Sequence, residues 1–324
     1  MSASEFELIQ RHFSELGSRR DDVLLGVGDD AALLQPTPGE VLALCVDTLV
    51  GGVHFPQDAP ADSVGHKALA VNLSDLAAMG ARPAWATLSL TVPTADEDWI
   101  AAFARGFGDL ARYHGIALVG GDLTRGPLSV SVQAAGFVPR GRALTRRGAR
   151  PGDAVCVSGT LGDAALGLRL WRDGRADLDE DSRWLVDRLH RPVPRVSLGL
   201  ALRDCATSAV DISDGLAQDL GHVLQASGVG AQLDVDRLPL STALVQYAAR
   251  EDHLTQAMGG GDDYELCFTV PRSCLHKLDA IASRVGVQIT RIGTIQPDGG
   301  LELVHADRSP ARLGKAGYTH FDAS

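Results

Sequence analysis

Gly26-Val27-Gly28-Asp29-Asp30-Ala31-Ala32 sets two adjacent carboxylates between glycines on one side and small apolar residues on the other. Solubility does not require this arrangement, since charges serving it are normally scattered over surface helices. A Gly-Asp-Asp-Ala turn instead lets the backbone bend sharply and aims acid groups into a confined space. The same signature, an acid ending an apolar run beside Gly, Ser or Thr, recurs along the chain. It stands at Asp47-Thr48, Ser74-Asp75, Gly120-Gly121-Asp122 and Asp211-Ile212-Ser213-Asp214-Gly215. Carboxylates in such number converge only around cations, so the pattern reads as a magnesium-filled cleft for a polyphosphate.

At 324 residues the chain suggests two domains. The boundary falls in Arg140–Gly152, a Gly- and Arg-rich stretch, giving domains at 1–140 and 141–324. That stretch reads either as a solvated linker or as the source of an arginine that reaches a phosphate. A content of 45% hydrophobic and 22% charged residues is ordinary for globular chains. The net charge of −11 argues against nucleic acid and anionic membrane surfaces as partners. It also makes a divalent cation a requirement for binding any phosphate ligand. The five cysteines form no CxxC pair and read as reduced, mostly buried thiols of a cytoplasmic protein. No signal peptide and no membrane-length apolar run is found.

Ser4 and Glu7 form a capping-box pattern, followed by Phe6, Ile9, Phe13 and Leu16 at helical spacing and closed by Gly17. Val41–Val46 predicts a buried strand that delivers Asp47. Residues 62–79 predict a helix with Ala68, Val71, Leu76 and Met79 on its apolar stripe and Asn72 and Asp75 sharing a face. Trp85–Val92 alternates aliphatic and hydroxyl residues, as on a sheet with unequal faces. A helix over 96–113 precedes a strand, Ile116–Val119, ending in Gly120-Gly121-Asp122. In the second half, Ser208–Val210 runs into the Asp211–Gly215 acids. The helix starting there would offer free N–H groups to anions. Gly259-Gly260-Gly261-Asp262-Asp263-Tyr264-Glu265 leads into the strand Leu266–Val270, and a hairpin is expected around Asp298-Gly299-Gly300. Asn72-Leu73-Ser74-Asp75 then Gly-Gly-Asp is echoed by Asp211-Ile212-Ser213-Asp214 then Gly-Gly-Asp, which suggests related halves.

Carboxylate oxygens suit hard cations such as Mg²⁺ or Mn²⁺, while no His/Cys cluster has zinc spacing. The Walker-type phosphate loop and the protein-kinase signatures are both missing. Phosphoryl transfer can proceed without them, because positioning and charge neutralisation lower its barrier. A phosphate acceptor is already ionised, so the absence of a convincing general base is consistent with that chemistry. His54, in a glycine-flanked loop, reads as structural or as a ligand. Tyr318 reads as an ordinary aromatic or as a stacking partner.

Together these stretches resemble the thiamine-monophosphate kinase family over nearly the whole chain. The matching segments are Gly26–Ala32, Asp47–Val50, His54-Phe55, Lys67–Gly80, Gly120–Asp122, Arg125–Ser129, Asp211–Leu216 and Asp263–Leu266. The resemblance implies an α+β fold of two α/β domains of the aminoimidazole-ribonucleotide-synthetase type. Its N-terminal domain would carry a mixed sheet used in homodimer formation. Implied too is transfer of the ATP γ-phosphate onto thiamine monophosphate, giving thiamine diphosphate and ADP. By the same resemblance Asp30, Asp47, Asp75, Asp122, Asp211 and Asp214 are magnesium ligands. Gly121, Asp122, Arg146 and Ser213 contact ATP, and His54, Asp262 and Tyr318 contact the thiamine phosphate. Four positions depart from the family pattern. Cys45 and Val46 replace an expected Ser and Thr, which leaves only backbone oxygen for a metal there. Asp262 replaces a Glu and is shorter by one methylene. Leu123 replaces a Thr. A metal-dependent phosphohydrolase and a non-catalytic metal or nucleotide binder use the same acids. They are separated from a kinase by the fate of the γ-phosphate.

Overall fold

The computed structural model describes residues 4–313 and residue 317. It divides into two compact units, residues 1–76 with 81–141, and residues 77–80 with 142–324.

The first unit contains α1 (Glu5–His12), β1 (Val23–Leu25), β2 (Leu33–Leu34), β3 (Glu40–Val50), α2 (Ala61–Ala78), β4 (Arg82–Val92), α3 (Glu97–Tyr113), β5 (Ala117–Arg125) and β6 (Ser129–Pro139). The capping box forms, with Ser4 Oγ accepting from Glu7 N and the Glu7 carboxylate from Ser4 N. Helix α1 nevertheless stops at His12, short of the expected Gly17, and Phe6 is exposed while Leu8 is buried. Strands β3-β6-β4-β5 make a mixed sheet, parallel only between β4 and β5. Alternation in β4 holds as read, with Ala86, Leu88, Leu90 and Val92 buried and the intervening hydroxyl residues at least partly open. Helix α2 is buried on nearly every side and packs Leu69, Leu73 and Leu76 into the core. Met79 is half-exposed just beyond its end, because the helix stops at Ala78 and Gly80 turns the chain at φ 61°. Helices α2 and α3 touch backbone to backbone. A Cβ at Gly106 would stand 1.7 Å from Asp62 O, so only glycine fits that crossing. Toward one end of the sheet Trp85 and Phe137 pack edge to face at 5.0 Å, with Val23, Ala32 and Leu34 of the β1–β2 hairpin against them.

The second unit contains β7 (Ala154–Ser158), α4 (Asp163–Arg172), α5 (Glu180–His190), α6 (Val196–Leu202), β8 (Ser208–Ile212), α7 (Leu216–Ser227), β9 (Gly230–Asp234), α8 (Thr242–Tyr247), α9 (His253–Gly259), β10 (Glu265–Val270), α10 (Leu278–Val285), β11 (Ile289–Gln296) and β12 (Gly300–Val304). Its sheet runs β12-β9-β11-β7-β10-β8. Strands β7, β8 and β10 are buried throughout, matching their continuous apolar runs. Leu216, Leu220, Val223 and Leu224 of α7 pack on Val155, Val157, Val210 and Ile212. No hairpin forms at Asp298–Gly300. Strand β9 lies between β11 and β12, pairing antiparallel with the first and parallel with the second. The matching motifs of the two halves stand on different kinds of element. Asp75 lies within α2 and Asp122 within β5, whereas Asp214 and Asp262 lie in loops.

Candidate functional site

In the first unit, the pleat of β3 sends Ala43, Cys45 and Asp47 to one face and Leu42, Leu44, Val46 and Thr48 to the other, exposed one. Helix α2 lies against the first face: Cys45 Sγ donates to Asn72 O at 3.4 Å, with Ala134 O at 3.7 Å. Burial, reinforced by the Asp75 and Asp47 carboxylates, pushes the Cys45 thiol far above its usual range. Asp47 and Asp75 therefore gather around Cys45, while the side chain of Val46 points away from them. The register decides a further point. Asp47 aligns with Val132, Leu88 and Gly121, whereas Asp122 aligns with Ser89, Ser131 and Thr48. Asp122 thus belongs to the open face and does not join Asp47 within the first unit.

Gly120-Gly121-Asp122 does not end its strand as the sequence suggests, since β5 continues to Arg125. Gly121 is demanded by sterics: with φ 153°, a Cβ there would lie 1.8 Å from Leu88 O. A small apolar cleft of about 40 Å³ opens beside it, bounded by Ile9, Phe13, Val27, Leu88, Leu118 and Gly121. Asp29 and Asp30 form an exposed turn, with Asp30 N donating to Asp29 Oδ1 at 2.8 Å, and not the confined setting expected of them.

His54 sits in the turn after β3. Its Nδ1 accepts from Val50 N at 2.9 Å, which leaves Nε2 as the protonated nitrogen of a neutral ring. Beneath it lies Lys67, 1% exposed, donating from Nζ to His54 O at 3.2 Å. Sequence reading passed over Lys67, although a lysine inside the otherwise apolar run of α2 was the available signal.

In the second unit, β8 carries Asp211, 6% exposed, and the Ser213–Gly215 loop follows. The amides of this loop are not free for an anion. Asp219 Oδ2 accepts from Ser213 N and Asp214 N at 3.0 Å each and from Gly215 N at 3.2 Å. Burial, with Asp211 and then Asp214 adding repulsion, raises the Asp219 carboxyl to about 7. Its signal was an acid on the apolar face of α7, between Leu216 and Leu220. Gln218 Nε2 donates to Asp214 Oδ2 at 3.0 Å. Arg146 is exposed, its carbonyl held by Ser227 Oγ, and Thr145 O accepts from Ala209 N of β8. The Arg-rich segment is thus tied to the β8 edge at this point and is not a free linker.

Asp262 N donates to Ser213 O and Tyr264 N to Ile212 O, each at 2.8 Å, joining this loop to the acids after β8. Both residues adopt positive φ, 67° and 49°, at a strain of about 1–3 kcal/mol each. Asp263 between them is 1% exposed and accepts from Gly162 N at 2.7 Å. It belongs to a buried charge cluster. Glu265 bonds Arg188 at 3.0 Å, Ser158 Oγ at 2.6 Å and Arg195, while Asp163 accepts from Ser241 and Thr160. Three carboxylates face two guanidiniums, and burial drives the carboxyls of both Asp163 and Asp263 upward. Tyr318 lies outside the described residues. Among the described residues no three His, Cys, Asp or Glu side chains converge closely enough to hold a metal ion. The five thiols are free, three of them buried, as expected.

Two α/β units with carboxylates on strand ends and adjoining loops define the class. The chain belongs to the AIR synthase related family, whose N-terminal domain matches residues 28–138 and whose C-terminal domain matches residues 150–306. Relatives that match over nearly the full chain include thiamine-monophosphate kinases. The chain is 49% identical over 323 residues to that of Escherichia coli (strain K12), covering 99% of each chain. Its fold matches the crystal structure of thiamine-monophosphate kinase from Stenotrophomonas maltophilia K279a at TM-score 0.86 and 54% identity, covering 90% of this chain and 93% of that one. It also matches a structure described as AaThiL complexed with AMPPCP and TMP, at TM-score 0.79 and 32% identity, covering 90% and 91%.

Proposed function

We propose that this protein is an ATP-dependent kinase that transfers the γ-phosphate of ATP onto thiamine monophosphate, giving thiamine diphosphate and ADP. The observation that carries this reading is the 49% identity to a thiamine-monophosphate kinase along the full length of both chains. The acceptor is a phosphate, already anionic at neutral pH, so no side chain has to remove a proton from it. The absence of a base–nucleophile pair in the sequence is then a property of the reaction.

The donor set fits magnesium in its usual mode, bound through one or two carboxylates and the substrate phosphates with waters completing the shell. Asp47 and Asp75 both act on the Cys45 thiol, and Asp211 and Asp214 both act on the Asp219 carboxyl. These four, with Asp30 and Asp122, are the residues we infer hold Mg²⁺. Bound there, Mg²⁺ neutralises the polyphosphate charge that this acidic chain could not otherwise tolerate. Gly121, Asp122, Arg146 and Ser213 are the residues we assign to ATP, with Gly121 and Asp122 bordering the small apolar cleft of the first unit. His54, Asp262 and Tyr318 are assigned to thiamine monophosphate. Val46 and Cys45 contribute backbone only.

The homodimer reading rests on β3. It is the edge of its sheet and exposes Leu42, Leu44 and Val46 in one row, an edge that a single copy leaves open. We place the protein in the cytoplasm, in keeping with its free thiols. No helix among the described residues is long and apolar enough to cross a membrane.

Incubation with γ-labelled ATP, Mg²⁺ and thiamine monophosphate tests the function. Label is expected in thiamine diphosphate, and chelator or the substitution Asp214→Asn should abolish it. Label released as inorganic phosphate would replace the kinase by a phosphohydrolase.

A further inference from the structure

The acid turn of residues 26–32 has little structure of its own to hold it in place. Strands β1 and β2, which flank it, are three and two residues long, pair with a shift of register and form a sheet separate from the four-stranded one. An isolated two-stranded hairpin is marginal in water, so the position of this one is set by what grips its base. One grip is apolar, with Val23, Ala32 and Leu34 against Trp85 and Phe137. The other is polar and centres on Asp22, the residue that leads into β1. Its Oδ1 accepts from Arg20 Nε at 2.8 Å and from Trp85 Nε1 at 3.0 Å, and its Oδ2 accepts from Arg20 Nη2 at 2.6 Å. Arg20 Nη1 in turn donates to Gly115 O at 2.8 Å, in the turn between α3 and β5. The Asp22 carbonyl closes the hairpin from the other side, accepting from Gln35 N at 2.8 Å. Of the run Arg19-Arg20-Asp21-Asp22, Arg20 and Asp22 are withdrawn from solvent, while Arg19 and Asp21 are exposed.

This clamp ties the hairpin to β4 and to the start of β5, the strand that carries Gly121 and Asp122 farther along. At the other end of the hairpin, Val27 borders the same cleft as Gly121 and Asp122. The hairpin therefore lies along β5 from Asp22 to the acid turn. At about 3.3 Å per strand residue the turn stands about 10 Å beyond the clamp, so a tilt of about 10° at the base displaces it by about 2 Å. A displacement of that size is enough to spoil the geometry of a reacting site. We propose that Asp22 is a positioning residue for the acid turn, setting where Asp30 meets the metal-bound phosphates of ATP. The inference rests on the kinase reading above and names the residue through which the sheet controls that turn. Its charge-assisted bonds to Arg20 are the stronger kind of hydrogen bond, which suits a joint that has to resist tilting.

Calorimetric titration with AMPPCP in the presence of Mn²⁺, together with steady-state kinetics, tests this on Asp22→Ala and Asp22→Asn. The alanine variant is expected to bind AMPPCP about tenfold more weakly, equivalent to about 1.4 kcal/mol. Its KM for ATP should rise in step, while KM for thiamine monophosphate stays within about twofold of the parent. Amide hydrogen exchange over residues 26–32 should quicken, with exchange in β3 and β6 unchanged. Asp22→Asn keeps the shape and one acceptor oxygen, so it should lose about threefold in affinity, and it carries the test if the alanine variant does not fold. Unchanged AMPPCP affinity would overturn the proposal, as would a lowered melting temperature with unaltered affinity, which reports stability alone. An equal rise in both KM values would overturn it too, because the damage would then not be confined to the nucleotide. If the unsubstituted protein binds AMPPCP but leaves thiamine monophosphate unphosphorylated, the kinase reading falls and the titrations still decide the role of Asp22. If it binds no AMPPCP, the inference falls as well.

Discussion

Asp219 offers the sharpest test of how the acid loop is built. One of its oxygens takes the amide hydrogens of Ser213, Asp214 and Gly215. In Asp219→Ala these three donors lose their acceptor, and that of Gly215 is in a buried contact. At about 1 kcal/mol per lost bond, the cost is about 3 kcal/mol. For a unit of this size that is a fall in melting temperature of about 6–12 °C. Asp219→Asn keeps an acceptor oxygen in the same place and relieves the repulsion from Asp211 and Asp214, so its change should be below about 1 kcal/mol. Thermal unfolding of the full chain, followed by circular dichroism at neutral pH in the presence of chelator, measures both. The reasoning fails if Asp219→Ala melts within about 2 °C of the parent, a range that ordinary surface substitutions reach. It fails equally if the asparagine variant is as damaged as the alanine one, because charge and not acceptor geometry would then be holding the loop.

Gly121→Ala should be destabilised by about 3 kcal/mol or more, since the new Cβ meets the Leu88 carbonyl oxygen at 1.8 Å and strand β5 cannot yield without losing its pairing. A urea titration compared with the parent checks it, and a midpoint unchanged by the substitution would contradict the strand geometry. His114 supplies a pH dependence. Burial, with a smaller contribution from the charge of His66, lowers its pKa from 6.5 to about 4. The unfolded chain therefore takes up a proton below about 6.5 that the folded chain refuses until about 4, and stability falls as pH drops through that window. One such group sets a ceiling of about 1.4 kcal/mol per pH unit, reduced here because the ring is only part-buried. His114→Gln should flatten the decline in melting temperature between pH 6.5 and 4, and an unchanged slope would remove the assignment.

Local chemistry was legible where one segment contains its own reason. Capping at Ser4, the alternation of β4, the buried runs of β8 and β10, and the glycines that bracket the acids all follow from neighbouring residues and the helix and strand periods. The acids beside glycines on a chain of net charge −11 also gave rise to the expectation of cations between the protein and a phosphate ligand. Three things depended on residues far apart in the chain. The insertion of β9 between β11 and β12 turned an expected hairpin into two separated strands, which no local turn signal reports. Register across four strands set Asp47 and Asp122 on opposite faces, since a one-residue offset reverses a side chain. Asp219, Lys67 and the Glu265–Arg188–Arg195 cluster owe their roles to the low-dielectric interior, where a charge persists only beside a partner. Sequence alone determined which chemical groups are available. Tertiary structure decided which of them meet, because pairing and burial join atoms that the covalent chain holds apart.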